Sequence, residues 1–253
     1  MCMIAIVLAG GYAKRLADIA ENTPKPLLKV AGRPIIAYVF DRLAELDIEY
    51  SIISTNLRFE RQFKDWVDGN LHGRVEIVAD RSQCEEEKPG AICSLAHLTS
   101  TLSDDCLIVA GDNLFTSSLR QVVRMFEYTS SPVVALYDVK DRELARRYST
   151  ATLDHRGRII RFVEKPAQPE TTLIGTCIYL MPRRTLPRLQ QYLVECDDVD
   201  RPGAFIQWLH AREEVYGQVL EGYWCDIGTP EQYEDAQQKL KELDMNLRRK
   251  GIS

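Results

Sequence analysis

The sequence predicts an α/β protein with a Rossmann-like, doubly wound sheet that is mixed but mostly parallel. Two patterns lead to this prediction. Apolar segments of strand length alternate with amphipathic helical segments over residues 1–140. The first apolar segment, residues 4–8, runs directly into Gly10 and Gly11, as expected where a buried strand leads into a loop. Beyond residue 140 the pattern is less regular and includes a hairpin, which predicts a smaller β-rich part.

The helix predicted at 34–46 shows how the elements are assigned, because its apolar residues Ile36, Val39 and Leu43 recur at helical spacing. The strands are short, continuous apolar runs, as in a sheet that is covered on both faces. After the strand at 4–8, the predicted elements of the first part are a helix at 34–46, a strand at 51–55, a helix at 59–67, a strand at 75–79, a helix at 90–102, a strand at 106–110, a helix at 118–128 and a strand at 133–139.

The second part of the chain continues without a linker, an internal repeat or a low-complexity tract. We therefore expect a single domain over residues 1–253, with halves at about 1–140 and 141–229 and a C-terminal helix at 230–253. The predicted elements are a hairpin of 151–153 and 158–163 around a turn at 154–157, a strand at 172–180, helices at 186–193 and 204–211, strands at 215–220 and 223–225, and a polar helix at 231–249 that packs through Tyr233, Ala236, Leu240 and Leu243.

The composition excludes several classes of protein. The net charge is −5 and no Lys/Arg block occurs, so we expect no nucleic-acid partner. The N-terminal apolar run is too short to span a membrane and lacks the basic flank of a signal peptide, so we expect no membrane partner. The seven cysteines are odd in number and contain no Cys-x-x-Cys pair, which favours reduced thiols in a cytoplasmic protein over disulfides or structural zinc.

The opening strand and loop have the features of an anion-binding site. Gly10 and Gly11 let a ligand approach the backbone closely, and Arg15 and Lys25 add positive charge. Asp112 follows the predicted strand at 106–110, at the carboxyl end where α/β sheets hold their ligands. The Gly-x-Gly-x-x-Gly pattern of dinucleotide-binding dehydrogenases is absent after the first strand, which excludes that class.

Four groups of residues, in order and over essentially the whole chain, resemble the motifs of the sugar-1-phosphate nucleotidyltransferases, the nucleotide-sugar pyrophosphorylases, in their short single-domain form. Each motif is weakly specific by itself, and the specificity lies in their order along the chain. The matching segments are Leu8-Ala9-Gly10-Gly11-x-x-x-Arg15-Leu16 with Pro24-Lys25-Pro26-Leu27-Leu28, then Gly111-Asp112-Asn113, then Phe162-Val163-Glu164-Lys165-Pro166 with Gly175, and finally Tyr223-Trp224-Cys225-Asp226-Ile227-Gly228-Thr229-Pro230.

The resemblance implies an enzyme in which a sugar-1-phosphate oxygen attacks the α-phosphorus of a nucleoside triphosphate and pyrophosphate leaves. The attacking phosphate is already ionised at neutral pH, so alignment and charge neutralisation replace a general base. By the same resemblance, Asp112 and Asp226 would share a Mg²⁺ ion. The implied catalytic residues are Arg15, Lys25, Asp112, Lys165 and Asp226; the nucleotide contacts are Leu8, Ala9, Gly10, Gly11, Arg15, Lys25, Gly90 and Asp112; and the sugar-phosphate contacts are Asn113, Glu164, Lys165 and Gly175.

Two positions depart from the family pattern. Ala13-Lys14 stands where the family loop usually has Gly-Thr or Gly-Ser, which predicts a different loop shape and an added cation. Tyr148-Ser149 stands where a tyrosine-glycine pair is common, and that glycine usually lies against the sugar. These departures leave open two alternatives: a non-catalytic subunit that binds nucleotide or sugar phosphate, and an enzyme with a non-sugar acceptor such as phosphocholine.

Several candidate residues also have a purely structural interpretation. Gly10 and Gly11 fit a tight turn, Asp112 fits a helix or turn cap, and Glu164-Lys165 fits a surface ion pair. The functional interpretation is favoured because these residues occur together and in order. The chain ends soon after its last predicted helix, so we expect a stand-alone enzyme without an appended domain, and a homo-oligomer is compatible with the sequence.

Overall fold

The structure is a computed structural model that describes residues 3–12, 16, 22–71 and 73–249, with residues 244–249 described for their backbone alone. The strands are β1 (Met3–Leu8), β2 (Lys29–Val30), β3 (Arg33–Pro34), β4 (Tyr50–Asn56), β5 (Val75–Asp80), β6 (Asp105–Ala110), β7 (Asn113–Phe115), β8 (Val133–Asp138), β9 (Thr150–Leu153), β10 (Ile159–Val163), β11 (Leu173–Met181), β12 (Tyr216–Val219) and β13 (Trp224–Asp226). The helices are α1 (Ile35–Leu43), α2 (Glu60–Asn70), α3 (Ala91–Thr99), α4 (Arg120–Thr129), α5 (Arg142–Ala145), α6 (Arg188–Glu195), α7 (Pro202–His210) and α8 (Pro230–Arg249).

Strand β1 lies at the centre of the parallel part of the main sheet. It pairs in parallel with β4 on one side and β6 on the other, and β5 extends the sheet beyond β4. Residues 3–7 are at most 2% exposed because helices cover the sheet on both faces. Their side chains alternate, so Ala5 and Val7 contact one core and Ile4 and Ile6 the other.

Helices form a layer on each face of the sheet, which confirms the predicted fold class. The core that contains Val7 is completed by α1, α2 and α4. The core that contains Ile6 is completed by α3, α6 and α7. The apolar residues predicted for the first helix, Ile36, Val39 and Leu43, are all buried against the first of these cores.

Strand β11 joins the first half of the chain to the second. It runs antiparallel to β6, β8 and β9 and takes a central place in the nine-stranded order β10-β9-β11-β6-β1-β4-β5, with β8 beside β11 and β12 beside β8. The predicted hairpin is present as β9 and β10. The pairing register of β11 shifts between Gly175 and Tyr179, and Cys177 in this bulge has a φ of +57°.

The structure differs from the sequence prediction mainly in short elements and at boundaries. The helix predicted at 90–102 begins at Ala91, because Gly90 has a φ of +94°, outside the helical range. The β2–β3 hairpin, β7 and α5 are short elements that sequence periodicity does not predict. Strand β13, predicted at 223–225, pairs with β7 in a separate two-stranded sheet.

Helix α8 packs against a third small core through the residues predicted for it. Ala236 and Leu240 are buried there, with Tyr233 and Leu243 at its edge. The helix also holds the β2–β3 hairpin, because the Ala31 N–H donates to Gln237 Oε1 at 2.6 Å. Although α8 is long, neither it nor any other helix in the described ranges is apolar enough over the length needed to cross a membrane.

Candidate active site

The candidate site is a two-chambered cleft at the carboxyl ends of β1, β4 and β6. A small chamber of about 220 Å³ lies against the glycine loop after β1. A large chamber of about 700 Å³ lies over β11, between the segments that precede β9 and follow β10 and the segment Asp200–Gly203. This is the edge at which open α/β sheets hold ligands. The residues that line both chambers are Ala110, Asp112, Cys177, Asp200 and Pro202.

The glycine loop forms one wall of the small chamber. Leu8, Gly10 and Gly11 line it, and a Cβ atom added at either glycine would meet nothing within 4 Å. Ala9 lies beneath the loop and is buried, and its N–H donates to the Ser54 carbonyl at 2.7 Å. The loop therefore presents open backbone to the chamber, as an anionic ligand requires.

Gly90 lies opposite the glycine loop, at the N-terminus of α3. Its positive φ requires glycine, and a Cβ atom there would lie 2.5 Å from the Val199 carbonyl oxygen. The loop before Gly90 contacts the segment after α6, because Lys88 Nζ pairs with Asp200 Oδ2 at 2.9 Å and with Glu85 Oε1 at 2.6 Å. Lys88 and Asp200 thus close the chamber at its outer edge.

Lys25, Asp112 and Asp226 form a cluster beside the junction of the two chambers, because Asp112 lines both chambers and Asp226 lines the large one. The short 3-10 turn Lys25–Leu27, which lies between Pro24 and Leu28, directs Lys25 inward, and this residue is only 8% exposed. Its Nζ lies 2.6 Å from Asp112 Oδ2 and 2.9 Å from Asp226 Oδ1. Asp112 follows the end of β6, and Asp226 ends β13.

Electrostatics keep the Lys25 side chain charged despite its burial. Burial by itself would lower the pKa of this ammonium group, but the charges and hydrogen bonds of Asp112 and Asp226 outweigh it and raise the pKa well above its usual value. The cluster therefore contains one buried cation between two partly exposed carboxylates. Next to it, burial and the charge of Asp112 raise the pKa of the Cys177 thiol to about 12, so a neutral thiol lines the junction.

The two carboxylates suit a hard divalent cation. In the described residues, no group of three or more His, Cys, Asp or Glu side chains is arranged to enclose a metal. Asp112 and Asp226 nevertheless converge on one point, because both contact the same ammonium nitrogen. Two carboxylates that leave the remaining positions to water and phosphate oxygens are the usual protein contribution to a Mg²⁺ site.

Glu164 and Ser149 form the hydrogen-bonding wall of the large chamber. Ser149 Oγ donates to Glu164 Oε2 at 2.5 Å, and the Glu164 N–H donates to Gln207 Oε1 at 2.7 Å. A Cβ atom at Gly203, in the first turn of α7, would collide with both Glu164 Oε2 and Ser149 Oγ. Lys165 follows at the chamber rim as an exposed residue with a φ of +42°.

Two other predicted contacts of the large chamber have structural partners. Asn113 is 3% exposed and its Nδ2 donates to the Thr176 carbonyl, which ties β7 to β11. A Cβ atom at Gly175 would lie 3.2 Å from the Phe162 ring and 3.7 Å from Ser149 Cβ. Both residues still line the chamber. All the predicted site residues in the described ranges line the cleft except Ala9 and Lys25, which are buried next to it. Arg15, like Ala13 and Lys14, lies outside those ranges.

The segment Asp200–Gly203 lines the large chamber and was not predicted from the sequence. Asp200 accepts from the Ala91 N–H at 3.3 Å and so connects the start of α3 to that of α7. A signal for this segment exists in the sequence, because Pro202 and Gly203 mark a helix start two residues before the predicted one. Arg147, beside Ser149, is a second cationic residue at the rim that the sequence analysis did not identify.

A groove of about 810 Å³ is larger than either chamber of the cleft, but it contains none of the predicted site residues. It lies among α1, α2 and the amino ends of β4 and β5. Ligands of open α/β sheets bind at the opposite, carboxyl edge. We therefore assign the site to the two-chambered cleft.

Comparison with known proteins identifies the family. The nucleotidyl transferase family model matches residues 4–242. Among curated relatives, UTP–glucose-1-phosphate uridylyltransferase AglF of Haloferax volcanii is 25% identical over 95% of this chain and 97% of its own length. D-glycero-alpha-D-manno-heptose 1-phosphate guanylyltransferase of Aneurinibacillus thermoaerophilus is 27% identical over 94% of this chain and 99% of its own length. Two other relatives are longer, and the chain spans 52% and 62% of them.

A solved structure shares the fold. UDP-glucose pyrophosphorylase in complex with UDP-glucose superposes with a TM-score of 0.81, at 18% identity over 96% of this chain and 99% of that one. An identity this low supports the fold alone. The family match, by contrast, covers nearly the whole sequence and includes the glycine loop, both aspartates and Lys165. This chain therefore belongs to the nucleotidyl transferase family.

Proposed function

We propose that this protein transfers a nucleotidyl group from a nucleoside triphosphate to a sugar-1-phosphate and releases an NDP-sugar and pyrophosphate. One observation carries the proposal: Lys25, Asp112 and Asp226 form a cluster beside the junction of the small and large chambers. Two phosphorylated substrates that occupy the two chambers would bring their phosphates together at this junction. The activities of the relatives, uridylyl and guanylyl transfer to sugar-1-phosphates, support the same reaction class.

The chain's own residues supply alignment and charge. The open backbone of Gly10 and Gly11 would bind the triphosphate in the small chamber, together with Lys25 and, as the sequence implies, Arg15. Glu164 would accept hydrogen bonds from sugar hydroxyls in the large chamber, with Lys165 on the sugar phosphate. An oxygen of that phosphate then forms the new bond to the α-phosphorus as the bond to pyrophosphate breaks. Because the nucleophile is already ionised, holding the two anions in line is the main requirement.

Mg²⁺ is part of the proposal, with Asp112 and Asp226 as its ligands. The bound ion would neutralise negative charge on the phosphate oxygens during transfer. The convergence of the two carboxylates on one point supports this assignment. The cytoplasmic location inferred from the cysteine pattern stays a prediction.

The test is a grid of pyrophosphate-release assays with Mg²⁺. ATP, CTP, GTP, UTP and dTTP would each be combined with sugar-1-phosphates, and phosphocholine would be the non-sugar acceptor. We expect one combination to exceed the others and to identify both substrates. A grid without turnover, together with thermal stabilisation by a nucleotide, would instead support the non-catalytic alternative. Turnover with phosphocholine alone would support the non-sugar acceptor.

The two aspartates provide a sharper test once a substrate pair is known. We expect Asp112→Asn and Asp226→Asn each to lower kcat at least about 100-fold, since charge neutralisation by a metal contributes several kcal/mol to such reactions. Asp65→Asn is the matched control, because Asp65 is exposed on α2 and far from the cleft. Unchanged turnover in both folded variants would refute the metal assignment.

A further inference from the structure

The buried ammonium of Lys25 occupies the point on which the two proposed metal ligands converge. Its Nζ is 2.6 Å from Asp112 Oδ2 and 2.9 Å from Asp226 Oδ1, and each contact is a charge-assisted hydrogen bond. The two carboxylates come from distant parts of the chain, one after β6 and the other at the end of β13. Lys25 therefore links the two carboxylates.

The ammonium group offsets the repulsion between the two carboxylates. The Asp112 and Asp226 side chains are only 33% and 31% exposed, so water neutralises their mutual repulsion incompletely. An ammonium between them removes most of that repulsion. A divalent cation bound by the same two oxygens would lie close to Nζ, and the repulsion between the two cations would oppose its binding.

The lysine side chain is suited to a position between the two carboxylates from which it can later move to other acceptors. Its charge lies at the end of a flexible four-carbon stem, so the ammonium group can change partners without a change in the backbone. Lys25 lies between Pro24 and Pro26, whose fixed φ angles restrict the backbone from which its side chain extends. The ammonium group contacts Asp112, which lines both chambers, so a substrate phosphate bound beside Asp112 would offer it new acceptors.

We propose that Lys25 is an exchangeable placeholder for the metal: its ammonium group keeps Asp112 and Asp226 paired in the free protein, and the divalent cation binds there only after phosphate oxygens take over the ammonium. This inference rests on the proposed function for the identity of the metal and the phosphates. It adds that the free protein binds the metal weakly and that phosphate binding makes the carboxylates available. Lys25 is thus a positioning residue for the metal ligands, in addition to its proposed contact with the triphosphate.

The test measures metal binding without any turnover. Mn²⁺ alone would be titrated into the wild-type protein and Lys25→Met, with free Mn²⁺ counted by electron paramagnetic resonance. Methionine is similar in length to lysine but carries no charge. We expect Lys25→Met to bind Mn²⁺ at least about ten-fold more tightly than the wild type, because the competing cation has been removed. Lys29→Met is the matched control, since Lys29 is an exposed lysine in β2, and it should bind Mn²⁺ as the wild type does.

Further measurements separate this role from simple loss of structure. A damaged fold would bind the metal less tightly, so a gain in affinity has no structural explanation. The double variant Lys25→Met/Asp112→Asn should lose that gain. Thermal unfolding of Lys25→Met should show a lowered Tm that Mg²⁺ raises more than it raises the Tm of the wild type. Equal or weaker Mn²⁺ binding by folded Lys25→Met would overturn the proposal. Because these readouts need no substrate, they stand whether or not the assay grid shows turnover.

Discussion

Ser149 determines how many hydrogen bonds Glu164 can accept from a ligand in the large chamber. It is 7% exposed and its hydroxyl donates to Glu164 Oε2, the carboxylate proposed to bind sugar hydroxyls. A glycine at this position would leave that oxygen without its protein donor and would enlarge the chamber. Ser149 therefore fixes the orientation of Glu164 and takes up one of its acceptor positions.

We expect Ser149→Gly to change acceptor selectivity without a change in nucleotide binding. The KM for the preferred acceptor should rise about five- to ten-fold, because one hydrogen bond that positions Glu164 contributes about 1 kcal/mol. Bulkier acceptors should gain relative to it. Steady-state kinetics across the sugar-1-phosphate panel would measure both effects, with Ser103→Gly, in an exposed loop, as the control. An unchanged order of acceptors would show that Ser149 has no part in selectivity.

The N-terminus of α7 packs closely against the wall of the large chamber and so helps to position the side chains that form it. Helix α7 begins with Pro202, and Gly203 in its first turn lies against the Ser149–Glu164 pair. The absence of a side chain at Gly203 allows the helix to approach the chamber wall. The fixed φ of Pro202 suits the first turn of a helix, so the sequence sets both the start of α7 and its distance from Glu164.

Gly203→Ala should therefore damage acceptor use specifically. The added methyl group would collide with Glu164 Oε2 and Ser149 Oγ, and overpacking of this kind costs about 1–3 kcal/mol. We expect kcat/KM for the acceptor to fall about 10- to 100-fold, with the KM for the nucleotide nearly unchanged.

Gly69→Ala provides a matched control in another helix. Gly69 lies in α2, and a Cβ atom there would meet nothing within 4 Å. This variant should keep the wild-type kcat/KM and gain about 0.5–1 kcal/mol in the free energy of unfolding, since alanine favours helix more than glycine does. Equal kinetic effects of the two alanines would contradict the packing argument.

The elements also show which features the sequence could and could not predict. Strand β11 was predicted almost at its observed position, because its apolar run is a local signal. Its bulge at Cys177 was not, since a non-glycine residue at positive φ leaves no trace in periodicity. Likewise, the β7–β13 sheet and the contact of Gly90 with Val199 depend on segments that are distant in sequence.

The candidate site follows the same division. The glycine loop, Lys25, Asp112, Glu164 and Asp226 were predicted from ordered motifs, and the structure brings them to one cleft. The direct pairing of Lys25 with both aspartates was not predicted, because no motif encodes which side chain occupies a site in the free protein. The pairing of Lys25 with the two aspartates arises only when strands and turns far apart in sequence pack together.

The stability of the whole molecule should depend on pH partly through His210. Burial lowers the pKa of this imidazole, so the unfolded chain takes up a proton at higher pH than the folded protein does. The stabilisation is complete above the unfolded pKa of about 6.5 and is lost as the pH falls through the folded value. We expect the free energy of unfolding in urea to fall less in His210→Gln than in the wild type between about pH 7.5 and about pH 5.5.

Val194→Ala is the control for this measurement, because Val194 is 87% exposed and has no titratable group. That variant should lose as much stability on acidification as the wild type does. If His210→Gln also loses the full wild-type amount, other groups determine the pH dependence in this range.

The two halves of the chain share a sheet, and this should make unfolding cooperative across the whole molecule. Leu180 in β11 is fully buried, opposite Leu107 of β6 and Val133 of β8. We expect Leu180→Ala to lower the free energy of unfolding by about 2–5 kcal/mol through the cavity that it leaves.

Variants that retain only Trp66 or only Trp208 would report on the first and second halves by fluorescence in guanidinium chloride. Both probes should shift to the same lower midpoint, because β11 is hydrogen-bonded to strands of both halves. Val194→Ala, at a position that is 87% exposed, should leave the midpoint unchanged. Two separate midpoints would mean that the halves unfold as independent units, with the cleft at a true domain boundary.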